Sequence, residues 1–286
     1  MSDIKSKKQS IVDTESVQYV AATLRDISAV ALRDLTARFS RNTSFYDELE
    51  RLYELVWRIA EQVDESSSEK KILTNKKVLH VAYTTNRHFY GSLNYDVMRL
   101  FQSTIGSGET GMVIGKTGYE IWQNTKAKHA NTQFVSFAED APNTNEVKAF
   151  MEDIALYGRV FITYPRFISI YQQKAETVDV SFRPKKERMS KIIPTDIPKF
   201  VLEPDLIRVQ RFFLSQVRAV LFDRILLETE LSRVATRLLR MDMADTAAHA
   251  LLQKERLNLQ HEVSVFMNTR LLESITGYSE WLIQNK

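Results

Sequence analysis

The stretch from residue 205 to residue 276 reads DLIRVQRFFLSQVRAVLFDRILLETELSRVATRLLRMDMADTAAHALLQKERLNLQHEVSVFMNTRLLESIT, and neither proline nor glycine occurs in it. Those two residues cost a helix interior about 3 and about 1 kcal/mol. Their absence over so long a run predicts one helix from Pro204 to the neighbourhood of Gly277. The other end of the chain behaves in the same way: residues 1–90 lack both, and residues 3–63 read as a second helix. At about 1.5 Å per residue the two would reach roughly 110 Å and 90 Å, longer than a globular domain of this mass is wide. The breakers lie between them, all six prolines within Pro142–Pro204 and six of the eight glycines within Gly91–Gly118. The chain therefore divides into an N-terminal helix (1–63), a central domain (64–204) and a C-terminal helix (205–286).

The apolar residues of the two arms repeat at coiled-coil spacing. Phe45, Leu49, Leu52, Val56, Ile59 and Val63 alternate steps of four and three, and Val17, Val20, Leu24, Ile27, Ala31 and Leu35 do nearly the same. Such a narrow stripe fits one partner helix better than a broad core. Phe213, Val217, Val220, Leu227, Leu231, Val234, Leu238 and Met241 supply a drifting counterpart in the second arm, continued by Ala248, Leu251, Leu252, Val263, Phe266, Leu271 and Ile275. Because the central domain returns the chain, the arms are expected to form an antiparallel coiled coil.

The central domain alternates strand and helix signals. Residues 77–85, 112–114 and 133–137 read as strands, each followed by a helix at 93–102, 119–124 and 146–156. Residues 159–163 and 168–172 then read as a strand pair extended through 178–182. Alternation of this kind implies an open, Rossmann-like sheet with helices packed on it, so the fold class is α/β with long helical extensions. The basic run Arg183, Lys185, Lys186, Arg188 and Lys191 leads out of the domain as a connector or docking patch.

Composition excludes several classes. The net charge of +3 on 286 residues is too slight for a nucleic-acid strap, and the absence of cysteine removes disulfides, thiolate zinc sites and a cysteine nucleophile. No apolar signal-peptide core or membrane-spanning run is evident. Gly106, Gly108 and Gly111 satisfy the dinucleotide pattern, but a helix precedes them and a strand follows, the reverse of what pyrophosphate binding needs. Gly115-Lys116-Thr117 resembles the end of a phosphate-cradling loop, yet Thr110 stands where its first glycine belongs. The five histidines show neither i, i+4 pairing nor cysteine companions. No enzyme signature, cofactor or metal site emerges.

Several ordered strings give the chain a resemblance to the gamma subunit of rotary F-type ATP synthases, over nearly its whole length. They are Ile4-Lys5-Ser6-Lys7, the loop Asn86–Asn94, the turn Ile114-Gly115-Lys116-Thr117-Gly118, Arg166-Phe167-Ile168-Ser169 with Gln172, and Glu203-Pro204-Asp205. Leu227-Glu228, Ser232, Arg237, Met241, Ala244, Leu251, Glu273 and Gly277 follow in the last helix. The resemblance implies a non-catalytic central-stalk rotor whose coiled coil turns inside a ring of alternating alpha and beta subunits. Its α/β domain would rest on a membrane ring of c subunits beside an epsilon-type subunit, at the cytoplasmic, matrix or stromal face of an energy-coupling membrane. No nucleic acid and no small-molecule substrate of its own are implied.

By the same resemblance Arg237 is the shaft arginine near the beta subunits' acidic lever, with Arg33 and the loop from Arg87 to Asn94 as further contacts. Near the far end the family's Arg-Gln latch is replaced by Val263 and Ser264 within Gln260–Ser264, and a later acid by Arg270. Gln260, Ser264 and Arg270 therefore mark a tip that contacts its surroundings differently. Arg233 stands where the family has glutamate, another reversed charge on the shaft. A paralogous rotary ATPase running in hydrolysis, and an adaptor with an α/β docking head, are the alternative readings.

Overall fold

The computed structural model describes residues 2–63, 77–125, 131–140, 142–181 and 206–284. The basic run near Arg183, the Glu203-Pro204-Asp205 string and the side chains of Ile59 and Val63 lie outside the described residues. The elements are α1 (Ser2–Val63), β1 (Val78–Tyr83), α2 (Leu93–Thr104), β2 (Thr110–Ile114), α3 (Lys116–Gln123), β3 (Thr132–Val135), α4 (Thr144–Ala155), β4 (Arg159–Phe167), β5 (Gln173–Asp179) and α5 (Leu206–Gln284). The long helices fall where proline and glycine are missing, with one difference. Gly277 does not end α5, which continues to Gln284. A single exposed glycine costs a helix only about 1 kcal/mol, and among the described residues nothing crowds Gly277.

Among the described residues the sheet runs β3-β2-β1-β4-β5, with β1 to β4 parallel and β5 antiparallel at the edge. The expected strand at 168–172 is instead the turn between β4 and β5. Ile168 and Ser169 donate their amides to the Gln172 carbonyl, closing the chain before a ladder can form there, and the partner strand is Gln173–Asp179.

The chain divides into two compact units, one of residues 1–28 with 238–286 and the other of residues 29–237. In the larger unit one sheet face carries Leu79, Val81, Tyr83, Ile162 and Tyr164. These pack with Phe150 and Ile154 of α4, Tyr46 and Tyr53 of α1, and Val217, Phe222 and Ile225 of α5. Each such apolar side chain, buried, contributes about 1.5–3 kcal/mol. Burial also pushes the Tyr53 hydroxyl's pKa up to about 12, against the pull of Arg218. The opposite face, around Ala82 and Val113, packs against Val97, Met98 and Phe101 of α2 and Trp122 of α3. Asn143 caps α4 by accepting the Glu146 amide at 2.9 Å while Glu146 accepts that of Asn143 at 2.8 Å, a capping box.

In the smaller unit α1 and α5 run antiparallel. Lys7 pairs with Glu262, Ser10 and Thr14 with Glu255, Arg256 with Glu15, and Arg25 with Asp245. The facing positions of α1 are not the stripe that looked most apolar in the sequence. They are Ile4, Lys7, Ile11, Thr14, Gln18, Ala21, Arg25 and Ser28, all buried or half-buried at strict three-and-four spacing. In the larger unit Leu32, Leu35, Phe39, Asn42, Tyr46, Leu49, Tyr53 and Val56 have the same spacing and the same burial. Val17, Val20, Ile27, Phe45 and Leu52 are at least half exposed. On α5, Met241, Asp245, Ala248, Leu252, Glu255, Leu259, Glu262 and Phe266 face inward or partly so, whereas Leu271 and Ile275 lie in solvent. The seam of the smaller unit is thus half polar, and its outer faces carry exposed apolar side chains such as Val17, Val20 and Ile27 among polar ones.

Candidate functional site

The carboxyl ends of parallel strands are where doubly wound sheets present their loops, and the place where strand order reverses forms a crevice. Here α2 and α3 connect strands on one side of β1 while α4 crosses to β4 on the other, so the reversal falls between β1 and β4. The loop from Asn86 to Ser92 leaves that point.

A dense set of hydrogen bonds fixes this loop. The Asn86 amide donates to the Asp140 carboxylate at 2.6 Å, and its side chain donates to the Phe137 carbonyl at 2.8 Å while accepting the Lys116 amide at 3.0 Å. Asn94 of α2 donates to the Thr85 hydroxyl at 2.8 Å, which donates onward to the Arg87 carbonyl at 2.6 Å. The Tyr90 hydroxyl reaches the other oxygen of Asp140 at 3.1 Å. Burial, reinforced by Asp140, raises the pKa of that hydroxyl against the opposite pull of Arg233 and Arg237. Phe89, between these anchors, has φ +77° and is 69% exposed. A side chain held there is strained by about 1 kcal/mol or more, and the surrounding bonds maintain it.

Arg233 completes the arrangement from α5. Its two terminal nitrogens donate to the carbonyls of Thr84 at 2.8 Å and Asp140 at 2.9 Å, and the guanidinium lies 4.9 Å from the centre of the Tyr83 ring. Expected from the resemblance as a reversed charge on the shaft, this residue is 3% exposed. Leu231 to Thr236 is a run buried on every side. The legible signal was the loss of a polar face there, since small and apolar residues surround the arginine. Ser232 donates to the Pro165 carbonyl at 2.8 Å and Thr236 to Gln173 at 3.1 Å, so successive turns of α5 are fastened to β4 and β5.

The residues singled out in the sequence are distributed over both units. Arg87 is exposed in the loop, Arg237 is half-buried on α5 beyond Arg233, and Arg33 is exposed on α1, all three in the larger unit. Gln260, Ser264 and Arg270 are exposed on α5 in the smaller unit. Ser264 donates to the Gln260 carbonyl at 2.9 Å, and Arg270 lies 5.8 Å from the Phe266 ring centre. Among the described residues no cluster of metal-ligating side chains occurs, and no helix is long and apolar enough to cross a membrane.

The model of the ATP synthase family matches residues 1–262. The chain belongs to that family. Its relatives include the ATP synthase gamma chain of Moorella thermoacetica, 22% identical over 293 residues covering 97% of this chain and 98% of the relative. The gamma chain of Chlorobium chlorochromatii is 25% identical, with 97% and 98% covered. Among solved structures, a chain of the Euglena gracilis mitochondrial ATP synthase, OSCP/F1/c-ring in rotational state 3, superposes with a TM-score of 0.68 at 15% identity, covering 100% of this chain and 96% of that one. A chain of the Tetrahymena thermophila mitochondrial ATP synthase central stalk and c-ring gives 0.57 at 18% identity, with 79% and 99% covered. Within the family framework the five-stranded sheet, the paired terminal helices and the Asn86–Ser92 loop are the parts whose geometry bears on function.

Proposed function

We propose that this chain is the central-stalk rotor of an F-type ATP synthase, transmitting rotation between a membrane c ring and an alpha/beta catalytic hexamer. The observation that carries this reading is the mixed polarity of the smaller unit, whose seam holds ion pairs while apolar side chains stand exposed among polar ones on its outer faces. Lys7, Arg25, Asp245 and Glu262 lie between its helices while Val12, Tyr19, Val20, Ile27, Leu257, Met267, Leu271 and Ile275 face outward. A helix pair of that kind suits enclosure by an apolar collar, because exposed apolar area of this extent is costly in water.

The functional division is the one the breakers mark: helix 1–63 and helix 205–286 form the axle, and 64–204 the head that meets the c ring and an epsilon-type subunit. The chain has no catalytic role of its own and sits at the membrane surface as a peripheral component. Arg33, Arg87 and Arg237 contact the acidic lever of the beta subunits. Gln260, Ser264 and Arg270 face the upper collar without the family's usual latch. A one-sided distribution of contacts is required, since a uniform axle could not make the surrounding nucleotide sites unequal.

The test is purification of a tagged chain. Copurification of an alpha/beta hexamer is expected, with no ATP hydrolysis by the isolated chain. Because the chain has no cysteine, a single cysteine placed on α5 is its only thiol for crosslinking to beta, and such a link is expected to stop ATP-driven rotation. Turnover by the isolated chain, or rotation that survives the crosslink, would refute the reading.

A further inference from the structure

We propose that Arg233 is a positioning residue that fastens the Asn86–Ser92 loop to α5, so that load received by the loop passes through Asp140 into the rotor helix. This inference rests on the rotor reading above.

The crevice at the reversal of strand order, which commonly admits a ligand, is entered here by a side chain of the protein's own long helix. Burying a guanidinium is expensive, and packing alone would be served as well by an apolar residue of similar volume. The Arg233 Nε has no hydrogen-bond partner among the described residues, so the site does not even satisfy the group fully. What the arginine supplies is direction: two donors, fixed in one plane, reach two separate loops at once.

Asp140 is the junction. Its carboxylate holds the Asn86–Ser92 loop near both ends, through the Asn86 amide and the Tyr90 hydroxyl, and its carbonyl accepts from Arg233 and, at 3.2 Å, from the Tyr83 hydroxyl. Between those two anchors stands the strained, exposed Phe89. A segment clamped on both sides and bonded through one residue to α5 moves with that helix, whereas a loop held only by its own turn would yield under load.

The test uses the assembled complex in inverted membrane vesicles, with ATP hydrolysis and ATP-driven ion uptake measured on one preparation. Arg233→Met keeps the stem and deletes both donors, Arg233→Lys keeps the charge, and Tyr90→Phe removes only the hydroxyl that meets Asp140. Ion uptake per ATP hydrolysed is expected to fall about fivefold in Arg233→Met and roughly twofold in Tyr90→Phe. Arg233→Lys should recover more than half of the loss, and the readout is the ratio of uptake to hydrolysis, so that a change in hydrolysis itself does not enter. A purely structural role would lower hydrolysis and uptake together, in step with the amount of complex, and leave their ratio unchanged; that outcome overturns the proposal. If Arg233→Met does not assemble, a wild-type ratio in Tyr90→Phe overturns it equally. Failure of the rotor reading itself would look different, because ATP-driven uptake would then persist when this chain is deleted.

Discussion

The Tyr164 hydroxyl donates a 2.9 Å hydrogen bond to the Glu228 carboxylate inside the core, joining β4 to α5. Arg166 approaches the other carboxylate oxygen at 3.7 Å. Burial, the largest influence, raises the Glu228 carboxyl above its usual 4.5, against the opposite pulls of Tyr164, Arg224 and Arg166. Between 4.5 and the folded value the folded chain holds a proton that the unfolded chain has released, so stability falls as pH rises through that window. Glu228→Gln, which keeps an acceptor for Tyr164, should therefore gain stability relative to wild type on going from pH 4 to pH 7. Urea unfolding at the two pH values measures it, and a gain that shrinks toward neutrality would contradict this account. Glu228→Ala should instead lose about 2 kcal/mol or more, since it strands the buried hydroxyl.

His80 works in the opposite sense. It is 4% exposed, its Nε2 lies 2.9 Å from Glu109, and its ring stacks on Phe161. Burial lowers its pKa below the usual 6.5, more than Glu109 restores, and Arg159 lowers it further. A folded state that takes up a proton less readily than the unfolded state is stable above 6.5 and loses stability as pH falls toward the folded value. Thermal unfolding between pH 7.5 and pH 5 should show a larger decline for the wild type than for His80→Phe.

The register of the helix pair can be tested by two substitutions on opposite faces of one turn of α1. Leu32 is 7% exposed and Val30 is 65% exposed. Leu32→Ala should cost about 2–4 kcal/mol and Val30→Ala less than about 0.5 kcal/mol. The order would be reversed if the outer stripe were the seam.

Gly115, at the amino end of α3, has φ +99°, and a Cβ there would meet the Thr84 carbonyl carbon and oxygen at 2.8 Å. Strain and backbone collision act together, so Gly115→Ala should destabilise the chain by about 2–4 kcal/mol. Equilibrium unfolding that matches wild type would show that the backbone can relax there.

Local rules on α1 and α5 are legible in the residues themselves. Where proline and glycine are missing the long helices form, and where β-branched runs alternate with amphipathic ones the parallel sheet forms, because those preferences act over a few residues. The strand partner of β4 was misplaced by about five residues, since Ile168 and Ile170 are as apolar as a strand requires and only the turn closed on Gln172 excludes them.

The sequence by itself determined two helical ends around an α/β centre, and through its ordered strings the family. Tertiary structure alone decided which face of α1 turns inward. Two stripes compete there, and the choice of Ile11, Ala21 and Arg25 over Val17, Val20 and Ile27 depends on the charges that α5 presents opposite, such as Asp245 and Glu255. It also decided that Arg233 is buried, because residues 84, 140 and 233 are distant along the chain and their carbonyls and guanidinium meet only after the sheet has brought its strand ends together.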